Sequence, residues 1–337
     1  MTDTGDQKIQ FTGSAGEYFG IWIINLILSI ITLGIYSAWA KVRRETFFKN
    51  NTKIAEDVFA YHATGGQILK GRLIAIAVIV IFQIVSTISP LVSGVLSIAI
   101  MFLLPWVLNV SMRFRARMTS YRNIRFNWHG TYWKTLWFFV IAPIFGLASL
   151  GLLLPLITKS YYSYFAQSHS YGTTRFSGEA RVREYYYAFL IGAIVPVVLV
   201  ILALTGAAIL GSNEDSKLVA NILPAIIAVL VYLILIIYGV LCRNLMVNNL
   251  SLGDVVGFKS TLDPKIYIWI FVSNLLAILV SIGLLIPWSM VRMYKYLCES
   301  TIVRIEGDIE KFVDDAVTKQ SSFGEAVADF EGIEVGI

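Results

Sequence analysis

Four uncharged apolar runs, at 73–88, 92–110, 189–210 and 218–241, approach or exceed the length that a helix needs to cross a bilayer. The hydrocarbon core is about 30 Å thick, so about 20 apolar residues rising 1.5 Å each span it. One water-soluble core cannot absorb all four. Hydrophobic residues make up 57% of the chain and charged residues only 15%, where soluble domains carry about 25% charged residues. The sequence is that of a polytopic membrane protein. Residues 1–16 are polar and lack a basic segment leading into a small-residue cleavage site, so no signal peptide is expected.

The remaining apolar segments are shorter and share a pattern. An aromatic-led run meets a glycine and continues as a limb rich in aromatics and cations. Aligning Gly34, Gly151 and Gly283 stacks Ala38 with Pro155 and Pro287, Trp39 with Leu156 and Trp288, and Arg43 with Ser160 and Arg292. Asn25 then matches Asn274. This unit, A, covers 17–50, 131–168 and 265–300, and a longer unit, B, covers 68–118 and 185–245. The order A-B-A-B-A reads as a duplicated core within one membrane domain at 17–305. Pro155 and Pro287 suit the first turn of a new helix, so the three glycines mark helix breaks.

Six linkers, among them "VFAYHA", "NIRFNWHG" and "TIVRIEG", combine β-branched or aromatic residues with turn formers and read as short strands. Open strand edges are not tolerated in hydrocarbon, which puts these segments in water or at the interface. Nearly all of the 27 Lys and Arg residues lie in or beside them. The turns "SIITLG", "LASLGLLLP" and "VSIGLLIP" carry no charge. Cytoplasmic flanks collect Lys and Arg, so hairpins with every linker and both termini in the cytoplasm fit best. The expected fold is an all-α polytopic membrane protein of pseudo-repeated helical hairpins. It would have about ten helices, some short or broken, with short β-like segments on the cytoplasmic side; seven spans is the alternative. From Glu306 to Ile337 nine acids face two bases, which makes 306–337 an acidic cytoplasmic tail.

The opening pattern resembles the YjgN-like family of bacterial inner-membrane proteins. It is carried by Phe11, Gly13, Glu17, Tyr18, Phe19, Asn25, Leu33, Gly34, Tyr36, Trp39, Lys41 and Arg43, followed by Lys70, Gly71 and Arg72. The resemblance extends over nearly the whole chain. It implies a bacterial inner-membrane location and supplies no catalytic or ligand residues.

No catalytic constellation is recognisable, and the chain is read as non-enzymatic, without cofactor or metal. His62, His129 and His169 have no metal-ligand spacing and read as solvated interface residues. Cys242 and Cys298 read as inert thiols. Helices broken at Gly and Pro are a transporter feature, and the candidate pathway or ligand residues are Asn25, Asn274, Lys41, Arg43 and Arg292. No carboxylate sits at mid-span, which argues against ion coupling. The expectation is a transporter or channel for a small solute or lipid, with a polar cavity between the A units. The alternative is a non-catalytic scaffold or adaptor using its cytoplasmic face and tail. The expected partners are the bilayer, anionic lipid head groups at the basic belt and a cytosolic partner of the tail, with no nucleic acid.

Overall fold

The computed structural model describes residues 5–209 and 214–307. The acidic tail beyond Gly307, and the role expected of it, lie outside the described residues.

Eleven strands form one antiparallel sheet: β1 (Gly5–Lys8), β2 (Gln10–Phe11), β3 (Thr52–Ile54), β4 (Asp57–Tyr61), β5 (Thr119–Tyr121), β6 (Ile124–Trp128), β7 (His169–Tyr171), β8 (Thr174–Ser177), β9 (Ser251–Leu252), β10 (Val256–Ser260) and β11 (Thr301–Ile305). The order is β1-β11-β10-β9-β8-β7-β6-β5-β4-β3-β2. Its two ends, β1 and β2, are separated only by Ile9, whose amide donates to the Thr301 carbonyl at 3.0 Å. The sheet therefore curls round to a nearly closed barrel, which leaves no long open edge.

A helical hairpin departs from every second strand junction. The helices are α1 (Ala15–Ile31), α2 (Ser37–Asn50), α3 (Gly65–Ile88), α4 (Pro90–Arg117), α5 (Tyr132–Leu136), α6 (Ala142–Ala148), α7 (Leu154–Ser168), α8 (Val182–Ile209), α9 (Glu214–Asn248), α10 (Pro264–Val280) and α11 (Ile286–Glu299). A π-helical turn at Trp137–Ile141 joins α5 to α6 into one limb. The chain thus repeats strand, helical hairpin, strand five times.

Local chemistry sets these boundaries. Ser14 with Glu17, and Thr64 with Gln67, form capping boxes that start α1 and α3. The strand leading into a hairpin is tied to the end of the helix leaving it. Thr12 N donates to Asn51 O, His62 N to Met118 O, His129 N to Ser168 O and Thr261 N to Ser300 O, at 2.7–2.9 Å. Between β5 and β6 the two-residue turn Arg122-Asn123 has both φ values positive, 48° and 62°, the geometry that suits the twist of a tight hairpin.

The barrel interior is packed. Tyr121, Ile124, Tyr171, Leu252, Val256, Val303 and Ile305 are buried together, with Phe59, Phe126, Phe176 and Phe258 against them. Two phenols inside are satisfied by backbone, Tyr121 Oη donating to Ile54 O and Tyr171 Oη to Tyr121 O. Side chains fill the ring, as in small barrels generally.

Two expectations are corrected here. The protein is not all-α, because the short linkers pair with one another into a continuous sheet of eleven strands. The account of about ten helices in the membrane, with seven spans as its alternative, also fails. Among the described residues three helices are long and apolar enough to cross: Gly65–Thr87, Leu91–Arg117 and Ile227–Asn248. The physical reason is length. The first limbs of the A hairpins hold 17 residues each, Ala15–Ile31, Tyr132–Ala148 and Pro264–Val280, about 25 Å of helix. Their returning limbs hold 14 or 15.

Candidate functional site: a cavity between the returning helices and the barrel rim

The returning helix α2 carries Lys41, Glu45 and Lys49 at four-residue spacing, so the three share one face. Arg44 pairs with Glu45 at 3.0 Å. On α11, Ile286, Ser289, Met290, Met293, Tyr294 and Leu297 recur at helical spacing, and on α10 so do Phe271, Asn274, Leu275 and Ile278. These stripes, with Arg44, Glu45, Phe48 and Lys49, line a cavity of about 540 Å³.

The cavity is amphipathic along its length. Ile278 and Ile286 flank the Gly283 turn and form its apolar end, whereas Arg44, Glu45 and Lys49 belong to the half of α2 nearer the barrel. Lys49 also lines a second cavity of about 320 Å³ with Phe59, Met112, Arg115, Phe126, Phe165 and His169. That cavity lies over the barrel rim, because Phe59 and Phe126 belong to the barrel core. Burial pushes the Lys49 ammonium below its ordinary value, and Glu45 opposes the shift. Its Nζ sits 5.7 Å from the Phe59 ring centroid. Among the described residues, the cations Arg44, Lys49 and Arg115 and the single acid Glu45 stand around these adjoining spaces. The set is suited to a negative group.

A family model described as "Bacterial protein of unknown function (DUF898)" matches residues 6–330. The chain belongs to this family. It is similar to the inner membrane protein YjgN of Salmonella typhimurium, with 25% identity over 91% of this chain and 90% of that protein. It is 31% identical to the inner membrane protein YjgN of Escherichia coli strain K12, over 47% of this chain and 40% of that protein. No solved structure matches.

In this DUF898 protein the residues singled out from the sequence separate. Asn274 lies on the cavity wall, 7% exposed. Its Nδ2 donates to Ser289 O at 3.2 Å and its Oδ1 accepts from Arg292 Nη1 at 3.1 Å. Arg292 also donates to Ser273 Oγ at 2.7 Å and lies over the Trp288 ring. It is therefore committed to its own hairpin. Asn25 is equally buried on α1, but does not line the cavity, and its Oδ1 has no hydrogen-bond partner among the described residues. Lys41 is half-buried, and Arg43 is exposed beside the Tyr36 ring. Gly34, Gly151 and Gly283 sit in the three hairpin turns, and Pro155 and Pro287 are the second residues of α7 and α11.

The sequence did not single out Arg44, Lys49 or Ser289. The four-residue charge stripe on α2 was the available sign for Lys49. Ser289 Oγ is buried beside Asn274 without a hydrogen-bond partner among the described residues. The histidines are pinned as well: His62 Nε2 meets Ser120 Oγ at 2.7 Å and His129 Nε2 meets Ser170 Oγ at 3.0 Å. Ser120 and Ser170 are 1% and 0% exposed, so these pairs clamp strands and leave no room for a substrate. Among the described residues no group of three or more His, Cys, Asp or Glu could hold a metal ion. Cys242 and Cys298 are free thiols.

Proposed function

We propose that this is a multi-pass inner-membrane protein, with its barrel and both termini in the cytoplasm, that binds and moves an anionic amphiphile of the lipid class. One observation carries the reading: a cavity with cations at its barrel end and an apolar wall running up to a hairpin turn. An acyl chain matches the wall of Ile278, Ile286, Met290 and Met293. A phosphate or carboxylate head matches Arg44 and Lys49, since charge-assisted hydrogen bonds to such groups are the strong ones. Three further facts support it. The relatives are named inner membrane proteins. The long helices expose apolar side chains such as Ile74, Ile79, Ile81 and Val95. The packed barrel disfavours a channel along its axis and leaves a lateral route from the bilayer. The cations gathered at the strands support placing the barrel and termini on the cytoplasmic side.

The test is native mass spectrometry of the purified protein exchanged with dioleoylphosphatidylglycerol or dioleoylphosphatidylcholine. Wild type is expected to retain the anionic lipid preferentially, and Arg44→Gln/Lys49→Gln to lose that preference at least fivefold. Equal retention of both lipids by wild type, or an unchanged preference in the variant, contradicts the reading.

A further inference from the structure

The three A hairpins end in the same turn. Leu33, Leu150 and Ile282 are left-handed at φ 49°, 52° and 50°, each followed by a glycine at φ 88–89°. Gly34 N donates to Ser29 O, Gly151 N to Gly146 O and Gly283 N to Ile278 O, at 2.7–2.9 Å. The hydroxyls of Thr32, Ser149 and Ser281 accept from the amides of Tyr36, Leu153 and Leu285 at 2.9–3.1 Å. The turns thus satisfy much of their own backbone. Yet Leu33, Leu150 and Ile282 are 93–94% exposed, among the most exposed large apolar side chains described. Holding a β-branched residue such as Ile282 at positive φ is rare and costly. A turn with internally paired backbone, bare aliphatic groups and no charge is built for hydrocarbon.

From these turns we propose that the three short hairpins are re-entrant: they enter the bilayer from the barrel side and turn back within the hydrocarbon, against lipid acyl chains. Two contacts act as rulers. Ser37, three residues past Gly34, hydrogen-bonds Arg72, in the second turn of α3. Helix α3 continues 16 residues beyond Arg72, to Ile88, or about 24 Å. Leu152, next to Gly151, accepts from Tyr186 Oη at 3.1 Å. Helix α8 continues 23 residues beyond Tyr186, to Ile209, or about 35 Å. The tips therefore stop far short of the ends of the neighbouring long helices.

The returning limbs agree. Lys41, Lys159 and Arg292 follow their glycines by seven, eight and nine residues, about 10–13 Å along a helix. With tips at the far surface, these cations would sit near mid-bilayer, where charge is costly. With tips inside the hydrocarbon, Lys41 comes within snorkelling reach of the near head groups, while Lys159 pairs with Glu179 at 3.3 Å and Arg292 bonds within its own hairpin.

The inference rests on the reading that α3 and α4 cross the membrane, and the experiment separates the two. Leu33→Cys, Leu150→Cys, Ile282→Cys and Ser89→Cys are made singly in a chain carrying Cys242→Ala and Cys298→Ala. Each is labelled with a membrane-impermeant maleimide in right-side-out and inverted vesicles, then with a permeant nitroxide. The expected result is far-side labelling of Ser89→Cys. The three tips should be protected at least tenfold from both sides, with their nitroxides more accessible to oxygen than to a water-soluble nickel chelate. Tip labelling from either side, with Ser89→Cys labelled from the far side, overturns the re-entrant assignment alone. Labelling of Ser89→Cys only from the barrel side overturns the crossing reading and the assignment with it.

Discussion

At the scale of single residues, two glycines make different demands. Gly178, at φ +152°, has no room for a side chain: a Cβ there would lie 2.1 Å from the Asn249 carbonyl oxygen. That backbone cannot yield without parting β8 from the loop after α9, so Gly178→Ala is expected to abolish a monodisperse folded protein in detergent. Gly34 has open space around its Cβ position, and its cost is conformational only. Gly34→Ala should lower stability by about 1–2 kcal/mol, read as a fall in thermal midpoint with the fold retained. Similar losses at the two sites would contradict this account. Arg292→Ala removes the donor to Asn274 Oδ1 in a buried site. It should cost about 1–3 kcal/mol, and Arg292→Lys should recover only part of that, because a compact ammonium gives up the planar contact of the guanidinium over the Trp288 ring. Asn274 and Arg292 were legible in the sequence because glycine alignment put them in register with Asn25 and Arg43. Their partnership was not, because Asn25 and Arg43 do not make it.

At the scale of elements, the strands carry a pH dependence through the histidines. Burial lowers the affinity of His169 for a proton; the Phe165 carbonyl opposes this and His129 adds to it. Burial likewise lowers His129, helped by Arg175, Arg113 and Arg117. With folded values below the ordinary 6.5, the neutral forms stabilise the fold. This stability is fully present above pH 6.5 and is lost as pH falls through the folded values. Melting in detergent should therefore occur at lower temperature at pH 5.5 than at pH 7.5, and His129→Gln/His169→Gln should flatten the difference. An unchanged pH profile in the double variant would contradict the assignment. The hairpin turns were legible because glycine is the residue that most easily takes φ near +89°. The sheet was legible only as separate strand-like linkers. Strands of two to five residues are too short to show a decisive alternation, and their pairing joins distant parts of the chain. Asp6 and Arg304, for example, meet across 298 residues.

At the scale of the whole molecule, the described residues form five helical hairpins that rise from a barrel closed by the first and last described strands. Closure is testable, because Asp6 and Arg304 are direct cross-strand partners. Oxidation of Asp6→Cys/Arg304→Cys should produce a faster-migrating cross-linked chain, and failure to cross-link would contradict the ring. The exposed ion pair itself should contribute little to stability. The cavity was only half legible. The sequence led to a polar pocket bordered by Asn25 and Asn274, whereas the cavity has Asn274 but not Asn25 on its wall and is lined largely by apolar side chains. The sequence missed Arg44 and Lys49 because they become part of a site only where α2 lines one cavity with α10 and α11. Under the proposed function this cavity holds a lipid-like amphiphile, tail toward the hairpin turn and head at Arg44 and Lys49. Photo-cross-linking tests it most directly, with benzoylphenylalanine replacing Met293 in intact membranes and mass analysis of the adducts. The account predicts an acyl-chain adduct that falls sharply when Arg44 and Lys49 are changed to Gln. Adducts to protein alone, or lipid adducts indifferent to those two cations, would contradict it.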